Sequence, residues 1–200
     1  MRLRVALTIG LMALFAWGAS TALAADAKYV GAPGCTARCH NKKEKDGDQK
    51  GVWLASKHAK AYQNLGSAEA KQKAKDLGVA GNPQSAKNCL ACHTTGFGAP
   101  AAQFDSTFKK EDGVQCEACH GPGEHYKAMK TMKSISEERG PDKKGKSETA
   151  VKTGLHFPTE ETCKRCHVQE ITLGGETFKN PSYKEFAFQE FYDKMKHPRP

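Results

Sequence analysis

The sequence predicts a mainly α, single domain with long irregular loops, its interior filled by something other than its own side chains. Three observations carry this expectation. The 200-residue chain allows one domain or two very small ones. Only 38 % of it is hydrophobic and its mean hydropathy is -0.67, which argues against a polytopic membrane protein and against an enzyme built on an ordinary apolar core. No long alternating strand pattern occurs, whereas helical stretches are expected at 52–65, 67–77, 122–138 and 182–196.

The first 24 residues are expected to stand apart from this domain. Met1 to Arg4 is a short basic start, Val5 to Trp17 is a mostly apolar run, and Ala22-Leu23-Ala24 has the small-x-small pattern of a signal-peptidase site. The run is short for a membrane span of about 20 residues. We therefore expect residues 1–24 to be a signal peptide and 25–200 the mature domain, exported to the periplasm or beyond the cell, with no membrane span after processing.

Charge adds little about partners. The chain carries 31 Lys+Arg against 22 Asp+Glu, a formal +9 that falls to +7 once Arg2 and Arg4 are removed. The lysines are scattered singly and in pairs, as on a solvated surface, so no nucleic-acid partner is expected.

The eight cysteines are the informative residues. They form four pairs, each followed at once by histidine: Cys35-Thr36-Ala37-Arg38-Cys39-His40, Cys89-Leu90-Ala91-Cys92-His93, Cys116-Glu117-Ala118-Cys119-His120 and Cys163-Lys164-Arg165-Cys166-His167. Three read C-x-x-C-H, the attachment signature of c-type haem, and the first has one extra residue that a wider turn absorbs. The logic is geometric: two thiols on one helical turn add to the two porphyrin vinyl groups, and the next residue lies beneath the iron. A disulfide framework or a zinc site would also use paired cysteines, but neither needs histidine after every second one. Eight histidines in 200 residues put His at a given position about 4 % of the time, so four coincidences are on the order of three in a million. The expectation is four haem c groups, with His40, His93, His120 and His167 as proximal iron ligands.

Four further histidines, His58, His125, His156 and His197, match four distal positions, leaving Met129, Met132 and Met195 spare. Bis-His ligation implies low-potential iron, since methionine ligation raises potential. Leu54, His58, Tyr62 and Leu65 share one face of the first expected helix, with Lys57 and Lys60 off it. His125 is too close to His120 to reach the opposite face of the same iron without carrying the chain around the porphyrin, so it is expected to serve another haem. His156 opens the segment leading to Cys163, and His197 sits in the terminal tail, where a haem of a neighbouring molecule is also within its scope. Residues 139–154, rich in Lys, Gly and Ser, are expected to be an exposed loop. Gly121-Pro122-Gly123 reads as a turn before a restarted helix, on which Tyr126, Met129 and Met132 share a packing face. Phe178, Tyr183, Phe186, Phe188, Phe191 and Tyr192 are expected to pack on porphyrin.

Tyr29-Val30-Gly31, the stretch Trp53 to Ala61, and Gly113 to Gly123 resemble the tetrahaem cytochrome c-554 family, as does the layout of Cys163 to His167 followed by Phe186 and Phe188. The resemblance covers nearly all of the mature chain. It implies a mostly helical fold with haems in stacked and near-perpendicular pairs, His125 capping the haem of the first motif, and His58 and His156 as other distal ligands. It also implies that the haem on His93 can be five-coordinate, although His197 offers a further imidazole to close it. Some extracellular cytochromes of this kind polymerise into conductive filaments, which a histidine reaching across a subunit boundary would suit.

The expected function is electron transfer between redox protein donors and acceptors through four mostly or wholly bis-His haems, as a soluble carrier or a homopolymeric wire rather than an enzyme. The alternative is reduction of a nitrogen oxide or similar small molecule at an open haem on His93.

Overall fold

The computed structural model describes residues 26–41, 47–173 and 175–197, so the expected signal peptide lies outside it. The fold is mainly α, with ten α-helices and one small hairpin among the described residues. In chain order the elements are α1 (Gly31–Thr36), α2 (Gln49–Ala55), α3 (Ala61–Asn64), α4 (Ala68–Asp76), α5 (Lys87–His93), α6 (Cys116–His120), α7 (Met129–Glu138), α8 (Glu148–Thr153), α9 (Glu160–Lys164), β1 (Glu170–Leu173), β2 (Glu176–Lys179) and α10 (Phe188–Met195). Most helices span one or two turns, too short to be stable alone. None is long and apolar enough to cross a membrane.

Local chemistry sets the boundaries. Asp48 caps α2, accepting from the Gly51 N–H at 3.1 Å. Ser67 caps α4, with Glu69 in its first turn and Lys73 and Lys75 in its last, matching the helix dipole. Thr159 and Thr162 form a reciprocal capping box on α9.

Four expectations change. The helix expected over 52–65 begins at Gln49 and breaks at Ser56, which is extended and donates its hydroxyl to the Trp53 carbonyl at 2.6 Å. Leu54 is consequently 48 % exposed, and His58 rides on a turn rather than a continuous helical face. Helix α7 starts only at Met129, because residues 123–127 form a turn in which Gly123 accepts from the Lys127 N–H. Met132 packs with Tyr126 as expected, but Met129 is 75 % exposed. Residues 139–154 are not simply an exposed loop. The Glu138 carboxylate accepts from the hydroxyls of Ser147 and Thr149 and from the Thr149 N–H, which starts α8 and buries Ala150. Finally, the chain pairs Ile171 with Phe178 in an antiparallel hairpin too short to show in the sequence pattern, and α10 starts at Phe188 rather than 182.

The apolar packing is divided. One cluster joins Tyr126, Ile135, Ala150 and Leu155; another joins Ala91, Ile171 and Phe178 with Cys92 and Phe97 at its border. Tyr29, Phe104 and Phe108 form an aromatic group, with centroids 5.3 Å apart for Tyr29–Phe104 and 4.6 Å for Phe104–Phe108. Polar bonds join what these small clusters leave apart. Gln115, 1 % exposed, accepts from Ala32 N–H at 2.7 Å, donates to the Lys109 carbonyl at 2.8 Å, and has its own N–H bound by the Thr95 hydroxyl at 2.7 Å. Segments from three of the four cysteine motifs meet at this one residue.

Candidate metal centre

Each motif sits where a helix begins or ends. α5 carries Cys89, Cys92 and His93, and α6 carries Cys116, Cys119 and His120. In the first and fourth motifs the leading cysteine, Cys35 or Cys163, is helical, while Cys39-His40 and Cys166-His167 lie in the following turn. The extra residue of the first motif is thus taken up beyond the helix end. All eight thiols are free and half-buried.

The thiols meet across motifs. The Cys35 thiol lies beside that of Cys116, and the Cys92 thiol beside that of Cys166. The first motif therefore lies against the third, and the second against the fourth. These contacts, together with burial, push the Cys35 and Cys92 thiols well above the ordinary range. Burial, then the neighbouring Cys163, pushes Cys119 up to about 11. The third and fourth motifs are linked by the Arg165 guanidinium, which donates to the Ala118 carbonyl. Cys116 and Cys166, the partners of Cys35 and Cys92, are lowered instead, each by the side-chain contact with the thiol it faces. Among the described residues, no three His, Cys, Asp or Glu side chains converge on a point where a bare ion would sit.

Two of the motif histidines are oriented by backbone carbonyls. His93 Nδ1 lies 2.8 Å from the Ala61 carbonyl, and His120 Nδ1 lies 2.8 Å from that of His156. A ring that donates from Nδ1 presents Nε2 to a metal, with tautomer and orientation fixed. His40 Nδ1 is buried without a hydrogen-bond partner among the described residues. The His58 and His167 rings lie 6.0 Å apart at 66°, and those of His120 and His197 lie 6.0 Å apart at 44°. Two imidazoles on opposite faces of one metal, with bonds of about 2.0–2.1 Å, bring their ring centres to nearly this separation. Burial lowers the pKa of His58, His120 and His167, which keeps them neutral and able to ligate.

The remaining expected ligands stand differently. His156 is exposed, and its backbone does the visible work: its N–H donates to the His120 carbonyl at 2.9 Å while its own carbonyl receives His120 Nδ1. Its ring lies beside Gly121. His125 is half-buried between Glu124, whose carboxylate accepts from Lys28 N–H, and the buried Tyr126. Neither His40 nor His93 has a histidine ring stacked against it among the described residues.

Two mostly apolar hollows adjoin the motifs. One, of about 360 Å³, is lined by Leu90 of α5 and the following Thr94 with Phe97, Phe104 and Phe108. The other, of about 340 Å³, lies over Ala32, Pro33 and Thr36 of α1 with Trp53 and Leu54. Apolar walls beside paired thiols and a fixed imidazole suit a flat porphyrin. Phe178 packs at Cys92, and Phe186 stacks on His167 at 4.9 Å.

Pattern reading missed the polar residues that join the motifs. Gln115 and Glu117 flank Cys116, and only their burial at 1 % and 2 % exposure distinguishes them from solvated neighbours. Two polar side chains alternating around a cysteine was the available signal.

Comparison with known proteins agrees with the geometry. The family described as "Cytochrome c554 and c-prime" matches residues 35–121. Cytochrome c-554 of Nitrosomonas europaea is 33 % identical over 172 residues, covering 84 % of this chain and 69 % of that protein. No solved structure matches the chain significantly.

Proposed function

The chain belongs to the cytochrome c-554 family, a family of c-type haem electron-transfer proteins, and we propose that it carries electrons through four covalently attached haems arranged as two neighbouring pairs. The observation that carries this reading is the meeting of thiols across motifs, Cys35 with Cys116 and Cys92 with Cys166. Haems attached at those cysteines are neighbours, and bound haem supplies one-electron chemistry at its iron.

The residues take the following roles. Cys35, Cys39, Cys89, Cys92, Cys116, Cys119, Cys163 and Cys166 attach the four porphyrins. His40, His93, His120 and His167 are the proximal ligands, with His93 and His120 oriented by the carbonyls of Ala61 and His156. The 6.0 Å ring separations support His58 as distal ligand opposite His167, and His197 opposite His120. The family resemblance supports His125 for the haem on His40. His156 acts on His120 through its backbone, and the family resemblance supports its ring as a further distal ligand.

His197 lies against His120 of its own chain, which favours a soluble carrier over a polymer joined by that histidine. We propose that residues 1–24 are removed on export and that the carrier works with redox protein partners in the periplasm. A second reading, small-molecule reduction at His93, is favoured by the absence of a stacked histidine ring there among the described residues.

Mass spectrometry of the purified holoprotein and carbon monoxide titration of its reduced form test this together. Four haems and no rapid carbon monoxide binding are expected. Four haems with one rapid binder would replace the carrier by the reductase reading, and a colourless product of bare-protein mass would overturn both.

A further inference from the structure

We propose that Glu117 is a buried anion that sets the potential of the haem pair held by the first and third motifs. The inference rests on the four-haem reading above and assigns a role to a side chain that neither attaches nor ligates.

Glu117 occupies the first x of its C-x-x-C-H motif and is only 2 % exposed. Its Oε1 accepts from the N–H groups of Val30 at 2.8 Å and Gly123 at 2.7 Å, and its Oε2 accepts from Gly31 at 2.8 Å. These three groups are all donors. A protonated carboxyl would need an acceptor for its own hydroxyl, and none stands among these partners. Burial pushes its pKa up, while the three amides and the ammonium of Lys127 favour its charge. The bonding pattern fits the ionised form.

Gln115 provides an internal comparison two residues away. Its side chain meets one donor, Ala32 N–H, and one acceptor, the Lys109 carbonyl, so an amide serves. At Glu117 an amide would turn its own N–H₂ toward a backbone N–H. The carboxylate is the side chain of this length that accepts from all three.

The charge has a defined location. It adjoins Cys116 in the chain, and it acts on both the Cys35 and Cys116 thiols and on the buried Tyr126 hydroxyl. Cys35 and Cys116 are the attachment points of two different haems. Reduction adds one electron to each iron, and a nearby anion that water and salt do not screen opposes that addition. Glu117 therefore holds the potential of this pair below that of an uncharged equivalent, while the pair at Cys92 and Cys166 lies outside its closest contacts. The bonds from Val30 and Gly31 also anchor the segment before Cys35 to α6, so spacing and potential are set by one group.

The test is a spectroelectrochemical titration of E117Q and E117D holoproteins whose four haems have been confirmed by mass. In E117Q, two haems are expected to become easier to reduce by at least threefold in equilibrium constant, or about 28 mV at 59 mV per decade. The other two should not move, and E117D should stay near wild type. Unchanged potentials in fully loaded E117Q would overturn the proposal. Should E117Q fail to load, reduced-minus-oxidised infrared spectra of ¹³C-glutamate-labelled wild type decide it. A perturbed carboxylate stretch supports the proposal, whereas a slowly exchanging protonated-carboxyl band overturns it, because Glu117 is the only buried acidic residue among those described. A wild type without haem would instead reject the reading on which the proposal rests.

Discussion

Replacing Gly121 by alanine tests how the third motif is held. Gly121 follows His120 with φ 83° and ψ 169°, a conformation essentially confined to glycine. A Cβ there would sit 2.7 Å from the Gly154 carbonyl oxygen and 2.8 Å from His156 Cδ2. The first obstacle is backbone and cannot rotate away. Leaving the glycine-only region costs about 1–3 kcal/mol, and displacing packed backbone costs about 1–3 kcal/mol more. The expected loss is therefore roughly 2–6 kcal/mol, a large share of the ~5–15 kcal/mol that stabilises a typical domain. Denaturant unfolding of the holoprotein measures it as a fall in midpoint with unchanged slope. The strain falls on the residues that receive His120 Nδ1, so the absorption and paramagnetic signals of that haem should shift as well. Gly140→Ala is the control: φ there is 74°, but nothing lies within 4 Å of the added carbon, so only about 1–2 kcal/mol is expected. A G121A loss under about 1 kcal/mol, with the His120 signals unaltered, would refute this account of the Gly-Pro-Gly turn.

Three further outcomes are expected. H58A and H197A should each convert one low-spin haem to a form that binds carbon monoxide, with exogenous imidazole restoring the original spectrum; retention of all four low-spin signals would remove the residue as a ligand. W53F deletes the indole donor to the Val114 carbonyl at 2.8 Å, and calorimetry should show a loss of about 0.5–1.5 kcal/mol. The hydrogen bonds from Ser147 and Thr149 hold the Glu138 carboxyl below its ordinary value. Since the unfolded form binds the proton more readily, this contribution is present above the unfolded pKa and fades as pH falls through the lower folded value. Protection factors at residues 147–151, taken relative to the intrinsic exchange rate at each pH, should fall on acidification in wild type and show a weaker pH dependence in E138Q.

Much of the site was legible because attachment chemistry demands a local spacing. Cys89, Cys92 and His93 must share about one helical turn, and that constraint is written in consecutive residues. The mainly helical class was legible too, but the helix limits were not. Ser56 breaks a good apolar stripe because its hydroxyl and the His58 carbonyl bond elsewhere, the latter to Val114 N–H 56 positions on. Glu138 starts α8 through Ser147 and Thr149 in a stretch whose composition alone reads as loop. His197 illustrates the same limit at the site itself. A tail histidine shows its chemistry in sequence but not its destination, which tertiary packing places at His120. Gln115 and Glu117 were illegible because burial reverses the meaning of a polar residue, and burial is a property of the fold.

The bonds at Gln115 and Glu117 span 83, 86 and 87 positions back to Ala32, Gly31 and Val30. A chain synthesised from its N-terminus therefore exposes its first cysteine pair long before the groups that will dock it exist. Such distant contacts are slow to form and close late. Cys35 and Cys39 accordingly stay in an undocked segment until residues 115–117 have been made, while Cys116 emerges together with the groups that hold it. The earliest pair to appear has the longest interval before its segment is fixed.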